Sequence, residues 1–264
     1  MSERPRVLYV VAIGTMLAIG SCGPKESTSG AADRRQDAGA ASQWKTAHRT
    51  PADDAMNPSS TSSPEANPNG QVIEYQPGIR IDYRGLQIEV DAEVILRTGE
   101  LELFAYCKSP TPKEHETILR TSVKAEHIYQ ALGLIGLKPG NPVMYDWETS
   151  KVTPASGDAV DVLVRYEEGG ETIERNVCEW MYDLERDAVM APKHWLFTGS
   201  RRDEKGRFAA DVEGTLVTVV NFDTAVLSLP ESHSDSDGEL WVAARTEVIP
   251  EVGTKLTLIL RPAK

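Results

Sequence analysis

Leu86-Gln87-Ile88-Glu89-Val90-Asp91-Ala92-Glu93-Val94 alternates apolar and polar side chains along its length. A period of two turns one row of side chains into a core and the other into water, so the stretch predicts a half-buried strand. Ile79-Arg80-Ile81-Asp82-Tyr83 and Leu101-Glu102-Leu103 carry the same pattern. Further strands are expected over Val160 to Tyr166, Leu216 to Val220, Leu240 to Val248 and Lys255 to Leu260. Gly169-Gly170 and Ser234-Asp235-Ser236-Asp237-Gly238 separate them as turns. One segment breaks the rule: across residues 124–136, Ile128, Ala131, Leu132 and Ile135 recur at three and four residues, an amphipathic helix stopped by Gly136 and Pro139. Short helices are expected near Val177 to Leu184 and at a turn near Asp223 to Leu227. The fold class is therefore α+β, mainly β, with an antiparallel or mixed sheet system.

The N-terminal third reads differently. Arg4 and Arg6 precede an almost wholly apolar run from Val7 to Gly20, then the small residues Gly20 and Ser21. That order is n-region, h-region and cleavage site, and the run is shorter than the ~20 residues that cross a bilayer core. Cys22, directly after Leu17-Ala18-Ile19-Gly20-Ser21, resembles the lipobox of bacterial lipoproteins. The resemblance implies cleavage before Cys22, residues 1–21 as signal peptide, and lipid on the Cys22 thiol; several acyl chains hold where one binds marginally. An ordinary secretory peptide and an uncleaved anchor are the competing readings.

Residues 22–70 are built from Ser, Thr, Pro, Ala, Asn, Asp and Gly, with Trp44 the single aromatic. Such a composition cannot bury enough apolar surface to fold, and as a flexible coil it spans on the order of 40 Å. The expected organisation is thus lipid, disordered linker and one folded domain over residues 71–264. The chain carries a net charge of -12, which argues against nucleic acid and against polybasic membrane adhesion. Membrane contact is expected through the lipid on Cys22 alone, with the domain exported and facing the periplasm or the cell exterior.

Within the folded part, several segments occur in a recognisable order. They are Gly99-Glu100-Leu101-Glu102-Leu103-Phe104-Ala105-Tyr106-Cys107, Lys113-Glu114-His115-Glu116-Thr117 and the Ala131-Leu132-Gly133-Leu134-Ile135-Gly136 helix end. His194-Trp195-Leu196-Phe197-Thr198-Gly199-Ser200, Asn221-Phe222, Ala225-Val226-Leu227-Ser228-Leu229-Pro230 and Ile249-Pro250 with Gly253-Thr254 follow. Together they resemble the YdjY-like domain over roughly Val94 to Pro262. This chain departs from that pattern in having Ser109-Pro110-Thr111-Pro112 where a shorter glycine-containing link is usual. The resemblance implies no particular activity. It does not bring an iron–sulfur cluster with it, since a four-iron cluster takes four thiolates and the chain has three cysteines. No cofactor is expected.

Cys107 with Lys113, His115 and Glu116 forms the candidate catalytic group. A strand ending at Cys107, a turn through Pro110-Thr111-Pro112 and a returning His115 would place a base or ammonium beside a thiol and favour the thiolate. Two bland readings compete: Cys107 as a small buried hydrophobe, and a Cys107–Cys178 disulfide, which an exporting compartment permits and which would remove the nucleophile.

Other motifs fail on spacing. His115-Glu116-Thr117-Ile118-Leu119 has Leu119 where a zinc-protease helix needs its second histidine, so no metal site is assigned. His127 and His194 are far apart in sequence. The loop from His233 lacks the twelfth-position glutamate of a calcium loop, having Ala244. Thr198-Gly199-Ser200-Arg201-Arg202 is not a nucleophile elbow. Arg201, Arg202, Lys205 and Arg207 form one local basic cluster, read as a solvated turn or an anion contact. Trp180, Trp195 and Trp241, with Tyr145 and Trp147, are read as core or as the lining of a ligand groove. The expected function is a non-catalytic binding or assembly module of the cell envelope with an envelope protein partner. Its rivals are a thiol enzyme or redox protein using Cys107 and His115, and a metal-binding domain.

Overall fold

A computed structural model describes residues 72–264 apart from 147, 148, 150, 232 and 234–238. The readings of the signal peptide, Cys22, Trp44, Trp147 and the Ser234–Gly238 loop lie outside the described residues. In chain order the elements are β1 (Val72–Gln76), β2 (Ile79–Asp82), β3 (Gln87–Val94), β4 (Leu103–Cys107), β5 (Thr117–Thr121), α1 (Ala125–Leu134), β6 (Met144–Asp146), β7 (Lys151–Thr153), β8 (Ala159–Glu168) and β9 (Glu171–Asn176). A 3-10 turn (Val177–Trp180) leads to β10 (Met181–Asp183), β11 (Ala188–Val189), β12 (Trp195–Phe197), α2 (Ala209–Glu213), β13 (Thr215–Thr218), β14 (Leu227–Ser228), β15 (Val242–Ala244) and β16 (Lys255–Pro262).

The molecule is mainly β, and its large mixed sheet closes on itself. Following the pairings, β3 neighbours β16, then β8, β12, β14, β13, β4 and β5, and β5 returns to β3. Eight strands make the barrel. Closure abolishes the sheet edge at the core, which an open sheet would have had to cover. The pairs β4–β5 and β13–β14 are parallel and the other pairs antiparallel.

Two long strands serve both the barrel and something outside it. The last two residues of β3 pair with β5 (Glu93 opposite Arg120, Val94 opposite Leu119), whereas Gln87 to Val90 on the same edge pair with β2. Likewise Val160 of β8 faces Trp195 of β12, while Leu163 to Glu168 pair with β9. Each strand begins or ends in the barrel wall and peels away into a hairpin. At the far end of the β3 extension, β1 pairs with β2 alone among the described residues.

Alternation in β3 puts Ile88, Val90, Ala92 and Val94 in the core. The intervening Glu89 joins an outer ladder of ion pairs with Arg80 and Arg165, and Arg165 reaches Glu174. Trp180, Trp195 and Trp241 are all buried. The last two donate their indole N–H groups to the carbonyls of Thr218 and Val219, each at 2.9 Å, so for them the core reading holds.

α1 buries Ala125, Ile128, Ala131 and Leu132. Lys124 offers it no N-cap; the Asp211 carboxylate of α2 instead accepts from the Ala125 N–H at 2.6 Å. The sequence pattern does not predict α2. The helix expected over Val177 to Leu184 is only the four-residue 3-10 turn: Asn176 and Glu179 form a capping box around it, and Met181 to Asp183 then pair with β11 and β15. The strand expected over Leu240 to Val248 is confined to Val242–Ala244.

Candidate functional site

The turn after β4 brings Lys113 back over the start of that strand. Its ammonium lies 2.7 Å from Glu102 Oε2 and 2.8 Å from Glu116 Oε1, and 4.8 Å from the centre of the Phe222 ring. Backbone bonds fix the arrangement: the amides of Glu102 and Leu103 donate to the Glu116 carbonyl, and the Thr117 hydroxyl donates to the Lys113 carbonyl. All three charged side chains are largely shielded, and Glu102 is the most buried of the acids here.

One ammonium cannot neutralise two carboxylates. Burial pushes Glu102 above the usual carboxylate range, with Lys113 pulling the other way and Glu116 adding to the rise. Burial also works against the Lys113 charge, but its bonds to Glu102 and Glu116 outweigh this and raise it. The two shifts favour opposite protonation states of the ion pair; the lysine is the group we take as firmly charged, because it gains from both acids while Glu102 shares one partner.

Of the sequence candidates, Lys113 and Glu116 therefore meet, and His115 stands at the edge, mostly exposed, with Nε2 3.4 Å from Glu116 Oε2. Cys107 is elsewhere in character. It is buried, its amide donates to the Gly214 carbonyl, and burial together with the Asp211 charge pushes its thiol well above the ordinary range. A thiol so disfavoured as thiolate is a poor nucleophile. Cys178 is also free and buried, and burial pushes its thiol up to about 11. The two cysteines belong to different neighbourhoods: Cys107 faces Thr121 across β4–β5, and Cys178 sits in the turn capped by Asn176.

The remaining candidates are similarly occupied. His194 Nδ1 lies 2.6 Å from Asp161. Arg201 pairs with Asp223, Arg202 with Glu126 and Arg207 with Asp203, which makes most of the basic cluster a set of local ion pairs. Among the described residues no three His, Cys, Asp or Glu side chains converge as metal ligands, and no helix is long and apolar enough to cross a membrane.

An open site lies beside α1. Tyr75 of β1, Tyr129, Gln130, Gly133 and Leu134 of α1, Pro139, and Phe197 of β12 line a groove of about 380 Å³ whose walls are almost wholly apolar. Tyr129 packs on Phe197 with ring centroids 5.4 Å apart, and the Tyr75 hydroxyl donates to Gln130 Oε1 at 2.9 Å. Its base is tight. The Gly140 amide donates to the Phe197 carbonyl at 2.9 Å, and a Cβ on Gly157 would stand 2.0 Å from that same oxygen. A Cβ on Gly199 would meet Pro139 at 2.7 Å. Gly133 is the opposite case: a Cβ there would have no atom within 4 Å. Glycine inside a helix costs about 1 kcal/mol against alanine, and nothing in the packing requires it here. It lies in the groove lining, bordering open space.

The sequence pattern missed this groove because its residues carry no conspicuous chemistry. Glu102 was missed because Leu101-Glu102-Leu103 reads as one side chain pointing to water; the returning turn covers it. The signal that could have exposed the groove is Gly133 itself, a glycine set inside a helical stripe.

A closed mixed barrel, a mutually paired charge cluster and an apolar groove together define a mainly β domain with an open non-polar site. The YdjY domain matches residues 79–261, and the chain belongs to the YdjY domain family. No curated protein and no solved structure matches the chain.

Proposed function

We propose that this is a cell-envelope lipoprotein in which lipid on Cys22 and the segment over residues 22–70 carry a non-catalytic binding module, the YdjY domain. Membrane contact is through the lipid, the domain faces the periplasm or cell exterior, and its partner is an envelope protein rather than nucleic acid. The observation that carries the binding reading is the groove: concave, aromatic-walled and uncharged, with Gly133 in its lining and free space beside it. Its size falls within the range of ligand sites, roughly 300–1,000 Å³. Burial of Cys107 and the mutual pairing of Lys113, Glu102 and Glu116 weigh against a thiol enzyme centred on these residues.

The test is photo-crosslinking from position 134 of the lipidated chain in envelope membranes, with and without Gly133→Leu. Adducts that vanish when the leucine fills the groove are expected. Identical adducts in both proteins, or none in either, overturn the reading.

A further inference from the structure

We infer that the groove and the free edge of β1 form one interface for an extended, positively charged peptide, which adds a strand to β1 and seats an apolar or aromatic side chain between Tyr75, Tyr129 and Leu134. The inference rests on the groove being the binding site. Three observations carry it. First, β1 ends the sheet: among the described residues its backbone is paired only with β2, so the amides and carbonyls of its other edge are available as a template. Unpaired strand edges are sites where another chain completes the ladder, and alternate side chains of that chain then enter pockets.

Second, the two features share a residue. Ile73 and Tyr75 lie on one face of β1, both partly buried, and Tyr75 is itself a groove wall, whereas Val72 and Glu74 on the other face are exposed. The period of two holds along Val72 to Glu74, and the register shift between Glu74 and Gln76 leaves Tyr75 as the extra residue, turned like Ile73 to the groove side, where an incoming strand's side chain meets it. Neutral walls select a neutral side chain there, because a charge would be desolvated without a partner.

Third, charge specifies the rest of the peptide. Residues 71–264 contain 33 acidic and 21 basic side chains, and Glu74, exposed on β1, has no ion-pair partner among the described residues. Arg80, opposite Glu74 on β2, is committed to Glu89 and Asp91. A cross-strand lysine or arginine on the incoming peptide would complement Glu74, and opposite charges across a strand pair are favourable.

The experiment uses the full chain and a synthetic nine-residue peptide of alternating lysine and valine with one central phenylalanine, its binding read by fluorescence anisotropy. Saturable binding is expected, weakened at least tenfold by Gly133→Leu and about three- to tenfold by Glu74→Lys. Its salt dependence should shrink in Glu74→Lys. The same peptide with alternate amides N-methylated on its pairing edge should bind at least tenfold more weakly. Thermal unfolding of each variant checks that the fold is retained, and Gly133→Ala, a smaller filler, should give an intermediate loss. If N-methylation changes nothing while Gly133→Leu still blocks binding, strand addition is overturned and the groove reading stands. If Gly133→Leu has no effect, or the wild-type chain does not bind, both are overturned.

Discussion

The cluster around Lys113 and the groove beside α1 lie in the same domain and follow opposite rules. In the cluster, charged groups are turned toward each other: one ammonium holds two carboxylates at 2.7 and 2.8 Å and an aromatic ring covers it. In the groove, mostly apolar side chains border open space, and a Cβ on the helix glycine Gly133 would meet no atom within 4 Å. The difference teaches that conspicuous residue chemistry and functional availability are separate properties. Charged side chains that pair with one another are engaged within the fold, whereas the groove's apolar lining borders open space.

The comparison breaks most completely at the base of the groove. Gly157→Ala puts a methyl group into the Phe197 carbonyl at a backbone φ of +137°. We expect a loss of at least about 3 kcal/mol, measured by chemical denaturation. A loss below about 1 kcal/mol would show that the base can shift and that the groove is not rigidly built.

Lys113→Met tests the cluster itself. It leaves Glu102 and Glu116 facing each other without a counter-charge, and we expect a loss of about 3 kcal/mol at neutral pH, largely recovered in the double variant with Glu102→Gln. The pH dependence has a definite sign. Because the folded protein raises Lys113 above its ordinary value of 10.5, the stabilisation is complete below that pH and is lost as pH rises through the higher folded value. Glu102, also raised, acts in the acid range: stability falls as pH rises from its ordinary 4.5 through the folded value. Unfolding free energies between pH 4 and 11 check both limbs, and the alkaline limb should disappear in Lys113→Met.

Gly133→Ala sharpens the contrast from the other side. Stability should rise by up to about 1 kcal/mol, since alanine replaces glycine in a helix with free space around it. A destabilised variant would mean the glycine serves packing after all. The smallest effect belongs to His115→Ala. The ring is mostly exposed, and its removal should change stability by no more than about 0.5 kcal/mol by denaturant titration. A larger change would make His115 a working member of the cluster.

The difference also explains what the sequence could reveal. Alternation in Leu86 to Val94 identifies strand and buried face because both follow from local periodicity. Closure of the barrel through Val94 opposite Leu119 is a non-local register with no signature in either segment. Lys113, His115 and Glu116 stand out as residue types, and two of them do meet. Their partner Glu102 was hidden because its exposure depends on a turn that folds back from eleven residues away. The groove draws Tyr75, Leu134, Pro139 and Phe197 from four separate segments, none unusual alone.

β16 lies between β3 and β8 and pairs with both along nearly its whole length. It is the keystone strand, and it comes from residues 255–262. A nascent chain that has not yet emerged to that point cannot close its barrel, however much of its sequence is available, and must wait as a set of unjoined hairpins. Its contacts with β3 span more than a hundred and fifty residues, as in Lys255 beside Glu93, so folding should be slow and late, and a truncation before residue 255 should yield no folded barrel.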